Sequence, residues 1–252
     1  ICGDVGFGKT EIALRAAFIG VMSGKQVAVL APTTLLCRQH LQTFRERFEN
    51  LPVRVEQLSR LVKASKAAEI RDGMKSGIVD IVIGTHALLA KDLRFDRLGL
   101  LIVDEEQHFG VAHKERLKSL KTNVHVLTMT ATPIPRTLQM ALTGVREMSL
   151  ITTPPVDRLA VRTFILPQDP VVIMEAINRE RFRGGQTFYV CPRIKDMKEL
   201  EKHLRTLVPE ISIITAHGQM APTDLEDRMT AFCDGQYDVL LTTNIIESGI
   251  DI

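Results

Sequence analysis

Tryptophan is absent from the 252 residues, and tyrosine occurs only twice. A platform of stacked aromatic rings is therefore not the expected way for this chain to hold nucleic acid. Cysteine is sparse: Cys2, Cys37, Cys191 and Cys233 lie far apart, with no C-x-x-C pair. That spacing argues against a zinc centre, and the apolar neighbours suit free thiols in a reducing compartment. Neither sign of charge is in excess, since 32 Lys and Arg face 30 Asp and Glu, a formal net charge of +2. This does not describe a strongly basic binder, but it leaves room for a local basic groove. No apolar run is long enough to span a bilayer, and no basic-then-apolar segment marks export. The expectation is a cytoplasmic protein with no membrane partner.

What the chain does have is enough apolar residues, 45%, to bury a sizeable core. It also has a phosphate loop at its start. Gly3, Asp4, Val5, Gly6, Phe7, Gly8, Lys9 and Thr10 fit G-x-x-x-x-G-K-[ST]. The glycines let successive backbone N–H groups turn inward around a phosphate. Lys9 can reach the outer phosphates, and the Thr10 hydroxyl can hold Mg²⁺. The apolar pattern Ile12, Ala13, Leu14, Ala16, Ala17, Phe18 predicts a helix whose N-terminus faces them. Only Ile1 and Cys2 precede the loop, where a buried strand is usual. The chain is therefore expected to be a piece of a longer one, its first lobe missing its first strand.

Beyond the loop, short apolar runs alternate with helical patterns. Strands are predicted at Val27–Ala31, Val53–Leu58, Asp80–Gly84, Leu98–Val103 and Val124–Thr130. Thr152 to Asp157, with two adjacent prolines, reads as a linker. The alternation then restarts with strands at Val161–Leu166, Gln186–Cys191, Ile211–Thr215 and Asp238–Thr243. The pattern is α/β: parallel sheets flanked by helices. Two lobes are expected, residues 1–151 and 161–252, joined by a linker at 152–160, with the second lobe incomplete.

In such sheets ligands gather at the carboxyl ends of the strands. Asp104 and Glu105 close the most apolar strand of the first lobe. One carboxylate of such a pair can hold Mg²⁺ and the other can orient or deprotonate water. Thr130, Ala131 and Thr132 end the next strand, where small hydroxyls can bond to those carboxylates. Pro32, Thr33 and Thr34, and Gly84, Thr85 and His86, end two others. Hydroxyls and backbone N–H groups there suit a sugar-phosphate backbone, without reading its sequence. Arg193, His217 and Thr243 occupy corresponding strand ends in the second lobe.

The ordered strings GDVGFGKT, APTTLL, IGTH, DEEQ, TATP, AHGQM and TTNIIESGIDI cover nearly the whole chain. They resemble the ATPase motor of superfamily 2 DNA helicases and translocases, built from two RecA-like P-loop lobes. DEEQHFGVAHKER and TATPIPRTL are most similar to the bacterial transcription-repair coupling factors. The fork-regressing helicases of replication restart share several strings and remain an alternative. So does a catalytically silent nucleic-acid-binding module.

The resemblance implies ATP and Mg²⁺ as cofactors, with ATP held by residues 3–10 and by Gly249 and Asp251. Lys9, Asp104, Glu105 and Gln107 are the implied catalytic set, with Thr10 and Asp104 on the metal. Gln107 stands where His is frequent, which implies altered detail rather than lost activity. Thr130, Ala131 and Thr132 resemble the coupling motif. Pro32, Thr33, Thr34, Gly84, Thr85, His86, Arg193, His217 and Thr243 resemble contacts to double-stranded DNA. Contacts with RNA polymerase and with an excision-repair damage-recognition protein would come from domains outside this chain. The arginine-finger string Q-x-x-G-R-x-G-R is expected past Ile252, and the adenine-recognising segment before Ile1.

Overall fold

The computed structural model describes residues 1–60, 62–90, 92–109, 124–131, 147–156 and 161–243. The chain divides into two compact units, Ile1–Leu159 and Ala160–Ile252. Among the described residues no helix is long and apolar enough to cross a membrane.

The first unit is built on strand β2, Gln26–Leu30, which is buried at every position. Alternate side chains of a strand point to opposite faces, so a strand buried throughout needs helices on both sides. Val27 and Val29 pack with Leu14 and Ala17 of α1 (Lys9–Met22) and with Leu36, Phe44 and Phe48 of α2 (Thr34–Phe48). Ala28 and Leu30 pack on the other face, with Ile70 and Met74 of α3 (Ala64–Lys75). The remaining strands are β3 (Val55–Leu58), β4 (Ile81–Gly84), β5 (Leu98–Asp104) and β6 (His125–Met129). All pairings are parallel, in the order β3-β4-β2-β5-β6.

Cys2–Gly3 form a short strand, β1, parallel to β7, Leu150–Ile151. Cys2 also bridges Thr130 just past β6, so the small pair continues the sheet at that edge. Two residues are too short for a periodicity signal, which is why neither strand was legible.

The second unit holds α4 (Pro170–Phe182), β8 (Thr187–Val190), α5 (Met197–Leu207), β9 (Ile213–Ala216), α6 (Pro222–Cys233) and β10 (Val239–Thr242). Its strands are parallel in the order β8-β10-β9. Ile177, Leu204, Val239 and Leu241 centre its core. The predicted strand Val161–Leu166 is not formed: residues 161–169 have no regular structure. Val161 is 85% exposed and Ile165 97%, and no described strand pairs with them. An apolar run becomes a strand only where a neighbouring ladder takes up its backbone groups.

The same two fastenings recur in both units. Gln26 begins β2 and donates to Met74 O and Val79 O; Gln186, just before β8, donates to Phe232 O and Tyr237 O. Asp80 accepts from Arg54 N at 2.8 Å, and Asp238 accepts from Ser212 N at 2.7 Å. Each ties the end of a helix or a strand start to its neighbour.

Candidate functional site

The phosphate loop starts where β1 ends. Gly6 and Gly8 have φ of +79° and +87°, in the left-handed region that favours glycine. Gly8 turns the chain into α1, whose first N–H groups receive no side-chain cap. The Glu11 N–H bonds back to Gly8 O at 3.0 Å, and a helix N-terminus of this kind suits a phosphate. The Lys9 ammonium donates to Gly3 O at 2.7 Å and Asp4 O at 3.1 Å, bonding to the loop's own carbonyls.

Across the sheet, β5 delivers the paired carboxylates. Asp104 is 9% exposed, and its Oδ2 lies 2.9 Å from His40 Nε2 on α2. Glu105 is 3% exposed and takes φ +48°, the one non-glycine left-handed residue among those described. Such a conformation costs on the order of 1–3 kcal/mol and persists only where surroundings fix it. The fixing contacts are visible. The Thr130 hydroxyl donates to Glu105 Oε2 at 3.0 Å, and the Ala131 N–H donates to Oε1 at 3.0 Å. Gln107 Nε2 also donates to Oε2, and its Oε1 lies 3.3 Å from the Thr130 hydroxyl. Thus Glu105, Gln107, Thr130 and Ala131, predicted from separate strings, form one hydrogen-bonded cluster.

The candidate nucleic-acid residues are less uniform. Thr33 caps α2, its hydroxyl accepting from Leu36 N at 3.2 Å, and it is half-buried with Pro32. Thr34, Gly84 and Thr85 are buried, while His86 is exposed at the end of β4. A Cβ on Gly84 would lie 2.3 Å from Leu58 O, so β3 and β4 meet closely there. In the second unit Arg193 is exposed but paired with Asp196 at 2.7 Å. His217 is half-buried with a buried, unpartnered Nδ1, and Thr243 is half-buried past β10. Thr132, Gly249 and Asp251 lie outside the described residues.

His40 was missed by sequence reasoning. The available signal was a polar residue on the inner, apolar face of α2, at helical spacing from Cys37 and Phe44. Among the described residues no group of three or more His, Cys, Asp or Glu side chains could hold a metal by itself.

Comparison with known proteins adds the family. Residues 1–141 match the family described as DEAD/DEAH box helicase, and residues 170–252 match the helicase conserved C-terminal domain. The chain is 56% identical over 256 residues to the transcription-repair-coupling factor of Rickettsia prowazekii (strain Madrid E), covering 100% of this chain and 23% of that protein. It is 54% identical over 252 residues to that of Staphylococcus haemolyticus (strain JCSC1435), covering 100% and 22%. The chain thus spans less than a quarter of the length of the curated relatives it matches. Among solved structures, RecG bound to a three-way DNA junction aligns with TM-score 0.81 and 35% identity, covering 100% of this chain and 34% of that one. S. cerevisiae Dbp5 bound to RNA and ADP BeF3 shares the fold at TM-score 0.64 and 18% identity, covering 100% and 67%. The two RecA-like lobes expected from the ordered strings are therefore the architecture of an ATP-binding superfamily 2 helicase motor, and this chain belongs to the DEAD/DEAH box helicase family.

Proposed function

We propose that this chain is the ATP-driven, double-stranded-DNA translocase motor of a transcription-repair coupling factor. In that role the whole protein displaces stalled RNA polymerase in the cytoplasm and recruits nucleotide excision repair through other domains. The observation that carries the motor reading is the hold on Glu105. A buried carboxylate satisfied by Thr130, Ala131 and Gln107 is constrained as a general base until those donors move. A shift of the β6 end is thereby linked to readiness for hydrolysis. Whole-chain identity of 54–56% to coupling factors, against 35% to RecG, favours that family over the junction-bound relative.

On binding ATP, loop N–H groups from Gly6 to Thr10 take the phosphates, and Lys9 exchanges its bonds to Gly3 and Asp4 for phosphate oxygens. Thr10 and Asp104 supply hard oxygen donors for Mg²⁺, which when bound offsets charge building on the phosphates. Glu105 orients the attacking water and accepts its proton. Pro32, Thr33 and His86 face the DNA backbone, with Arg193, His217 and Thr243 contributing from the second lobe. Thr132, Gly249 and Asp251 keep the coupling and nucleotide roles implied by their motifs.

Replacing Glu105 with Gln in the full-length protein tests the mechanism. It keeps the shape of the cluster but removes the base, a change worth about 10²–10⁴-fold in rate. DNA-stimulated ATPase and RNA polymerase displacement should fall together while nucleotide binding persists. Unchanged ATPase would sink the mechanism. Fork regression without polymerase displacement would transfer the motor to the alternative substrate.

A further inference from the structure

We propose that His40 is a positioning residue for Asp104, holding the carboxylate in the orientation that leaves its second oxygen to Mg²⁺. This rests on the reading of Asp104 as the metal carboxylate. The inner face of α2 is otherwise apolar, formed by Leu36, Cys37, Phe44 and Phe48. A polar ring buried there costs free energy unless it is hydrogen-bonded. His40, 7% exposed, makes that bond across the chain, Nε2 to Asp104 Oδ2 at 2.9 Å. Its ring meets Phe44 edge-on, with centroids 6.5 Å apart and planes at 89°. Phe44 in turn stacks on Phe48 at 6.1 Å and is fully buried. Packing therefore fixes the ring, and the ring fixes the carboxylate.

An Asp at the end of a strand otherwise rotates about its own side-chain bonds. A metal oxygen must be within tenths of an ångström of its place, and partners behind the ligands set that precision. His40 also sits on the helix that Thr33 caps, so the metal carboxylate is fastened to the same element as the Pro32–Thr34 segment. A purely structural role would fasten α2 to β5 and leave metal affinity untouched. The two roles are thus separable by measurement.

The experiment uses the full-length protein with a non-hydrolysable ATP analogue. Mn²⁺ affinity is read from the electron paramagnetic resonance of free Mn²⁺, beside the Mg²⁺ dependence of ATPase. His40→Leu should weaken Mn²⁺ binding about 10–100-fold and raise the half-saturating Mg²⁺ by the same factor. The rate at saturating Mg²⁺ should change far less. His40→Gln, whose amide can donate to Asp104 as Nε2 does, should restore wild-type affinity. Asp104→Asn serves as the control on the underlying reading. If Asp104→Asn weakens Mn²⁺ binding but His40→Leu binds as wild type, the inference about His40 is overturned and the role of Asp104 stands. If Asp104→Asn itself binds Mn²⁺ as wild type, the metal reading falls and takes the inference with it. Equal loss in the Leu and Gln variants also overturns it, because the donated bond would not be what matters. Should His40→Leu fail to fold, His40→Asn, with a shorter amide, takes its place.

Discussion

Glu105 follows the end of β5 and Asp238 precedes the start of β10, and their surroundings give the two carboxylates different work. Glu105 is held by donors from a neighbouring strand end and by a left-handed backbone, an arrangement that fits the catalytic role proposed for it. Asp238 is a fastening. Burial pushes its carboxyl up, but hydrogen bonds from the Ser212 N–H and hydroxyl, with Arg181 nearby, carry it below its ordinary value. A lowered carboxyl pKa stabilises the fold above the unfolded value of about 3.9 and loses that contribution as pH falls through the folded value. Asp238→Ala leaves the Ser212 N–H without its acceptor, and should destabilise the second unit by about 1–3 kcal/mol at pH 7. The gap between wild type and variant should close below about pH 4. Urea denaturation at both pH values checks this, and a gap that widens in acid would refute it.

Elements show why some of this was legible in the sequence and some was not. Continuous apolar strands such as β2 and β5 announce themselves because both faces are buried, and the strings at their ends fall where a parallel sheet gathers ligands. The carboxylates and the threonine cluster were found that way. β1 and β7 were not, because two residues carry no period. Val161–Leu166 misled for the opposite reason: apolar composition without a partner ladder. His40 escaped because its meaning lies in a residue 64 positions away. Gly84 belongs to this scale too. It was singled out as part of a strand-end motif, and the structure gives it a packing reason. An added Cβ would meet Leu58 O at 2.3 Å and Leu88 Cγ at 2.8 Å. The first obstacle is backbone, so β3 and β4 must part to admit it. Gly84→Ala should cost about 1–3 kcal/mol, the range for overpacking, and weaken DNA binding by displacing His86. Thermal unfolding with DNA titration tests it; wild-type values in both would mean that the strands part freely.

The whole molecule holds two units, each with its own core, and the phosphate loop belongs to the first. A ligand that binds the native state stabilises it by mass action, about 2.7 kcal/mol at a hundred times its dissociation constant. Residues 1–252 should therefore unfold by calorimetry in more than one step, with an ATP analogue raising the transition of the first unit. Lys9→Ala should abolish that rise, since its ammonium bonds to the loop carbonyls of Gly3 and Asp4. Absence of any analogue-induced shift would remove the loop from the nucleotide site.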